Sequence, residues 1–130
     1  MKDLKNRIDV KLALIPVVHT ATKADSSIID LQGANSATLI INTGAIAGSG
    51  DYTISLRHGY ASDLTGDAAA GASDLLGSLP ASLAADSVYT VGYIGGKRYV
   101  RAVITKNSGT SIAAGAVIVK GSLNNSPAVA

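Results

Sequence analysis

Between Asp51 and Arg57 the side chains alternate without a break: Tyr52, Ile54 and Leu56 are apolar, while Thr53, Ser55 and Arg57 are polar. A period of two is the mark of a β-strand with one face buried and the other in water. The same rhythm runs from Ala37 to Thr43, where Leu39 and Ile41 fall on one face and Thr38, Ile40 and Asn42 on the other. Further extended segments are expected at Leu12–Thr20, Ser27–Leu31, Ser87–Ile94, Arg98–Lys106 and Ala116–Lys120. Pro16 cannot donate to a ladder, so it marks an edge strand, a bulge or a break. Gly44–Gly50 reads as a flexible connection, and Gly95-Gly96-Lys97 as a tight hairpin turn with positive φ at its centre. With a turn at Asn107–Thr110, the last three strands read as a meander.

Composition supports the strand reading. All nine acidic residues are Asp; with 14 Gly and no Glu, the balance favours turns over helices. There is no Trp or Phe, so Val, Ile, Leu and Ala must form the core. A chain of 130 residues buries enough surface for one core without cross-links. The expectation is an all-β protein, a single β-sandwich or jelly roll of about seven or eight short strands. Its expected core is Leu39, Ile41, Ile54, Leu56, Val100, Ala102, Ile104, Val117 and Val119. Residues 1–11 form an N-terminal arm, 12–121 the sandwich domain and 122–130 a C-terminal tail.

The search for reactive chemistry yields little. His19 and His58 are the only histidines, each at the end of an expected strand, and no Ser lies in a G-x-S-x-G elbow. Both read as structural or surface residues, and the chain as no enzyme, with no catalytic residue and no cofactor. The Asp63, Asp67 and Asp74 spacing fits no known calcium loop, so no metal is expected. Cysteine is absent. Gly92–Arg98 is one residue short of a phosphate loop and has Arg98 where Ser or Thr would hold magnesium. No apolar run reaches the length of a membrane span, and Leu12–Val18, broken by Pro16, makes a poor signal peptide. A net charge of +2 does not suggest a nucleic-acid partner.

Charge is nevertheless uneven. From Ser87 onward there are five basic residues (Lys97, Arg98, Arg101, Lys106, Lys120) and no acid, whereas Asp51–Asp86 holds five Asp against Arg57. Complementary charge of this kind suits contacts between subunits. Ala45-Ile46-Ala47 and Ile112-Ala113-Ala114, expected in loops, would be covered in a homo-oligomer, a dimer or trimer. Tyr89, Val91 and Tyr93 share a face, as do Tyr99 and Arg101 on the following strand.

Two stretches, LQGANSATLIINTGAIAGSGDYTISL (Leu31–Leu56) and GYIGGKRYVRAVITKNSGTSIAAGAVIVKG (Gly92–Gly121), resemble small virion proteins of tailed bacteriophages. The likeness covers roughly residues 28–121 and rests on phrases such as NTGAIAG, KRYVR and SIAAGAV, with no reactive motif among them. It implies a non-catalytic capsid decoration, or cement, protein on the outer surface of a phage head, made in the bacterial cytoplasm and bound to the major capsid protein. Candidate capsid contacts are Lys2, Lys5 and Arg7 of the arm with Lys97, Arg98 and Arg101 of the expected hairpin. The alternatives are a carbohydrate-binding or adhesion module of a phage tail or cell surface, and a head-completion or tail component.

Overall fold

A computed structural model of the chain describes residues 3–23, 26–64 and 66–123. These residues form two antiparallel sheets packed face to face. The strands are β1 (Asp9–His19), β2 (Ile29–Asp30), β3 (Ala34–Ala47), β4 (Asp51–Gly59), β5 (Ala68–Ala69), β6 (Leu75–Leu76), β7 (Val88–Tyr93), β8 (Tyr99–Ser108) and β9 (Ser111–Leu123). One sheet, called the first, runs β1-β9-β3-β7-β6; the second runs β2-β8-β4-β5.

The pairing has a simple logic. β1 pairs with β9, β2 with β8, β3 with β7 and β4 with β5. The chain is thus one long antiparallel hairpin, bent at β4–β5 and wound so that β1 to β4, and then β7 to β9, alternate between sheets. That is the jelly roll, a two-sheet solution to burying alternating strands. The short β6 adds to the edge beside β7.

This winding corrects two expectations. β7 and β8 lie in different sheets, so Gly95-Gly96-Lys97 is a crossover between layers and not a hairpin turn, and neither glycine has positive φ. β8 and β9 are likewise in different sheets, so there is no three-strand meander. Adjacent strand patterns with a short Gly-rich link look the same whether the link turns within a sheet or steps across to the other one. At the β8–β9 step Gly109 has φ +79°, and a Cβ there would strike the backbone of Ser49 and Gly50, so glycine is required.

Strand lengths also depart from the even pattern expected. There are nine strands among the described residues, three of them only two residues long, while β3 reaches 14 residues and β9 reaches 13. Gly44 did not end β3; the chain continues extended through Ala45, Ile46 and Ala47, with Ile46 opposite Ile112. Both apolar phrases assigned to loops therefore lie in strands, and Ile112 and Ala114 are buried. At the N-terminal side, ladder pairing begins at Asp9 opposite Lys120, inside the segment read as an arm. At the other end Leu123 still pairs with Ala34, and residues 124–130 of the expected tail lie outside the described residues. Residues 59–86 contain β5, β6 and a 3-10 turn at Ala72–Asp74.

The core fills the space between the sheets. Leu39, Ile41, Ile54, Leu56, Val100, Ala102 and Ile104 are all buried, as period two requires. On β9 the phase is the reverse of that expected: Ala114, Ala116 and Ile118 point inward, and Val117 and Val119 outward. Alternation cannot assign the phase of a strand that is apolar on both faces, and β9 is such a strand. Tyr52, the largest side chain fully buried, sends its hydroxyl to the carbonyl oxygens of His19 (3.0 Å) and Thr110 (3.1 Å), so its polar end is satisfied inside the core.

Candidate interaction surfaces

The two histidines hold the framework together. Nε2 of His19 lies 3.2 Å from the Ile15 carbonyl oxygen and 3.1 Å from that of Ala114, so it donates to both. This contact bridges the irregular stretch of β1, where register shifts occur between Leu12 and Leu14 and between Leu14 and Val17. His58 is buried; its Nδ1 lies 2.8 Å from the Tyr93 hydroxyl and its Nε2 3.9 Å from Asp74. The Tyr93 hydroxyl keeps its own proton while its oxygen accepts from the Lys97 backbone N–H (3.1 Å). Burial pushes the Tyr93 phenol upward in pKa, which keeps that proton in place. This chain of contacts ties β4 of one sheet to β7 of the other and fixes the start of the crossover.

Two of the basic residues singled out in the sequence, Lys97 and Arg98, lie in the crossover, and a third, Arg101, follows on β8. Lys97 places its ammonium 4.0 Å from the centre of the Tyr60 ring. Arg98 grips the Asp30 carboxylate through Nε (2.9 Å) and Nη2 (2.8 Å), a bidentate pair that holds the Asp30 carboxyl below the usual carboxylate range. Arg101 stands on the outward face of β8, opposite Arg57 of β4. Arg57 in turn holds Asp67 through Nε (3.0 Å) and Nη2 (3.1 Å), lowering that carboxyl as well. The run without acids in the sequence is therefore threaded with acids from elsewhere in the fold.

Lys120 departs furthest from its appearance in the sequence. It points inward at the end of the sandwich and is buried, with Nζ 3.3 Å from Asp9 Oδ2 and 3.1 Å from the Asp30 carbonyl oxygen. Arg98, Asp30, Lys120 and Asp9 thus form a continuous line of polar contacts, which brings the crossover and the start of β1 to the same end of the molecule. Lys5 and Arg7 lie in an exposed 3-10 turn two residues before β1. Lys2 lies outside the described residues. A hollow of about 360 Å³ opens at this end, lined by Gln32, Asn35, Ser36, Tyr93, Lys97 and Arg98 among others.

A second surface has no counterpart in the sequence reading. Outward positions of the first sheet form registered rows: Val10 beside Val119 beside Thr38, and Leu12 beside Val117 beside Ile40. Val88 and Leu76 continue the apolar character towards β7 and β6, each more than two-thirds exposed. No outward position of β1, β3, β7 or β9 bears a charge. Farther along β9 the outward residues become small, Gly115 and Ala113, and a shallow hollow of about 320 Å³ lies there, walled by Pro16, Val17 and Val18. Pro16 sits so close to Gly115 that a Cβ at that position would come within 2.9 Å of the proline ring. The signal that finds this face is apolar content at both parities of β1 and β9, which is what a strand buried on both sides would show.

Tyr89 and Tyr93 face inward in the first sheet, whereas Tyr99 and Arg101 face outward in the second, so the two sets do not share a surface. Among the described residues no three His, Asp, Glu or Cys side chains gather as metal ligands, and no helix is long and apolar enough to cross a membrane.

No family model matches the chain, and no curated protein matches it. Among solved structures the chain is similar to one in the structure of infectious bursal disease virus Gx strain, at 12% sequence identity and a TM-score of 0.40. That alignment covers 93% of this chain but spans only 33% of the viral one.

Proposed function

We propose that this chain is a non-catalytic virion structural protein that decorates the outer surface of a phage head. The observation that carries the reading is the uncharged outer face of the first sheet, with Val10, Leu12, Val88 and Leu76 exposed on it, since exposed apolar side chains grouped on one face mark a place where protein packs on protein. The resemblance of its sequence phrases to those of small phage virion proteins suggests the setting. Contact with the major capsid protein falls to the end of the molecule where the Lys97–Arg98 crossover, Arg101 and the Lys5–Arg7 turn project, with Lys2 of the arm as a further candidate in the sequence. Many copies on a symmetric shell let modest contacts accumulate.

A glycan-binding role is the weaker reading. Sugar platforms use exposed aromatic rings; Tyr60 is the one large exposed aromatic among the described residues, and the Lys97 ammonium lies over one face of its ring.

Mass spectrometry of purified particles tests the proposal. Hundreds of copies per head are expected, whereas about six or twelve would place the chain in a connector or tail. Deleting residues 2–7, which stops short of the Asp9–Lys120 ion pair, should leave the domain folded and lower its occupancy on particles. Arg98→Glu with Arg101→Glu should lower it further, and rising salt should weaken the binding of the unaltered chain and narrow the difference between the two.

A further inference from the structure

We infer that two copies of this chain pair about a two-fold axis through the outward face of the first sheet. The face is divided along its strands into a raised half and a hollow half. Val10, Leu12, Val117 and Ile40 form the raised half, in register with one another. Gly115 and Ala113 floor the hollow of about 320 Å³ beside it. A two-fold axis lying in the interface, parallel to the sheet and running across the strands between Val117 and Gly115, sets the raised half of each copy over the hollow of the other. That is the self-complementarity an isologous interface needs.

Charge selects the occupant. A partner surface placed here must itself lack charge, because any ion brought against it would be buried without a counter-ion. The outward face of the second sheet does not qualify: it presents Arg57, Arg101 and Asp67. A head-to-tail stack of one sheet on the other is thereby disfavoured, and the first sheet of a second copy meets the condition. Edge-to-edge pairing through β1 is blocked by Pro16 and by the two register shifts around it, so the copies meet by faces. The inference concerns the protein alone and holds wherever the chain sits in a particle.

Sedimentation equilibrium of the purified full chain, with no particles present, provides the test. A dimer is expected at micromolar concentration. Val117→Lys, which touches no core residue, should weaken it by about 100-fold by burying two unpaired ammonium groups, while Val103→Lys on the second sheet should not. Circular dichroism and melting at high dilution establish that both variants fold. Because the chain has no cysteine, Val117→Cys gives a unique thiol that should cross-link to its own copy under mild oxidation, and Val103→Cys should not. A full chain that stays monomeric at high micromolar concentration overturns the inference, as does a dimer indifferent to Val117→Lys. A full chain that stays monomeric while a chain ending at residue 123 dimerises would assign the face to residues 124–130, and overturns it equally.

Discussion

The two sheets of this jelly roll treat their outer faces in opposite ways. In the second sheet the rule of alternation is kept: Tyr52, Ile54 and Leu56 point inward, and Thr53, Ser55 and Arg57 point outward beside Thr105, Val103 and Arg101. In the first sheet it is broken, and β9 carries Ala116 and Ile118 inward with Val117 and Val119 outward. Both sheets contribute equally well to one core, so folding alone does not ask for the difference. An outward valine gains little in a monomer, and its presence in registered rows is explained by something that covers it.

The sharpest way to break that comparison is to measure what inward and outward positions are worth. Ile54→Ala in the second sheet and Ile118→Ala in the first should each cost roughly 2–5 kcal/mol in denaturant unfolding, because both empty a packed core. A cost below about 0.5 kcal/mol at Ile118 would mean that the inward face of β9 has been misplaced. Next in size is Tyr52→Phe, which strands the carbonyl groups of His19 and Thr110 and should cost about 1–2 kcal/mol. Val117→Thr should shift the melting of a dilute sample by less than about 0.5 kcal/mol, and more at concentrations where copies associate.

The smallest effect belongs to the charged sheet. Asp67 and Asp30 titrate below the usual carboxylate range because Arg57 and Arg98 donate hydrogen bonds to them. A carboxyl whose folded-state pKa is depressed adds stability above its unfolded-state value, and that stability is lost as pH falls through the folded-state value. Stability should therefore decline from about pH 4 downward, modestly because both pairs are partly solvated, and Asp67→Asn should flatten the decline.

How much of this was legible in the sequence depended on whether a strand had two unlike faces. β3, β4 and β8 alternate polar with apolar, and their buried residues could be named from that alone. β9 and the second half of β1 are apolar at both parities, so their phase could not be read, and Val117 and Val119 were placed in the core when they stand outside it. The sheet to which a strand belongs is set by contacts between residues far apart in the chain. For that reason Gly95-Gly96-Lys97 looked like a hairpin turn, although His58, Tyr93 and the Lys97 backbone fix it as a step between layers. Of the basic residues, Arg98 and Lys120 could be counted in the sequence, but their partners Asp30 and Asp9 come from distant strands.

Hydroxyl-radical footprinting over a range of protein concentrations addresses the difference between the sheets most directly. Labelling of Val10, Leu12 and Val117 should fall as concentration rises through the micromolar range, while labelling of Val103 on the second sheet stays constant. Equal labelling of all four at every concentration, or protection confined to the second sheet, would contradict the assignment of the first sheet as the protein's packing face.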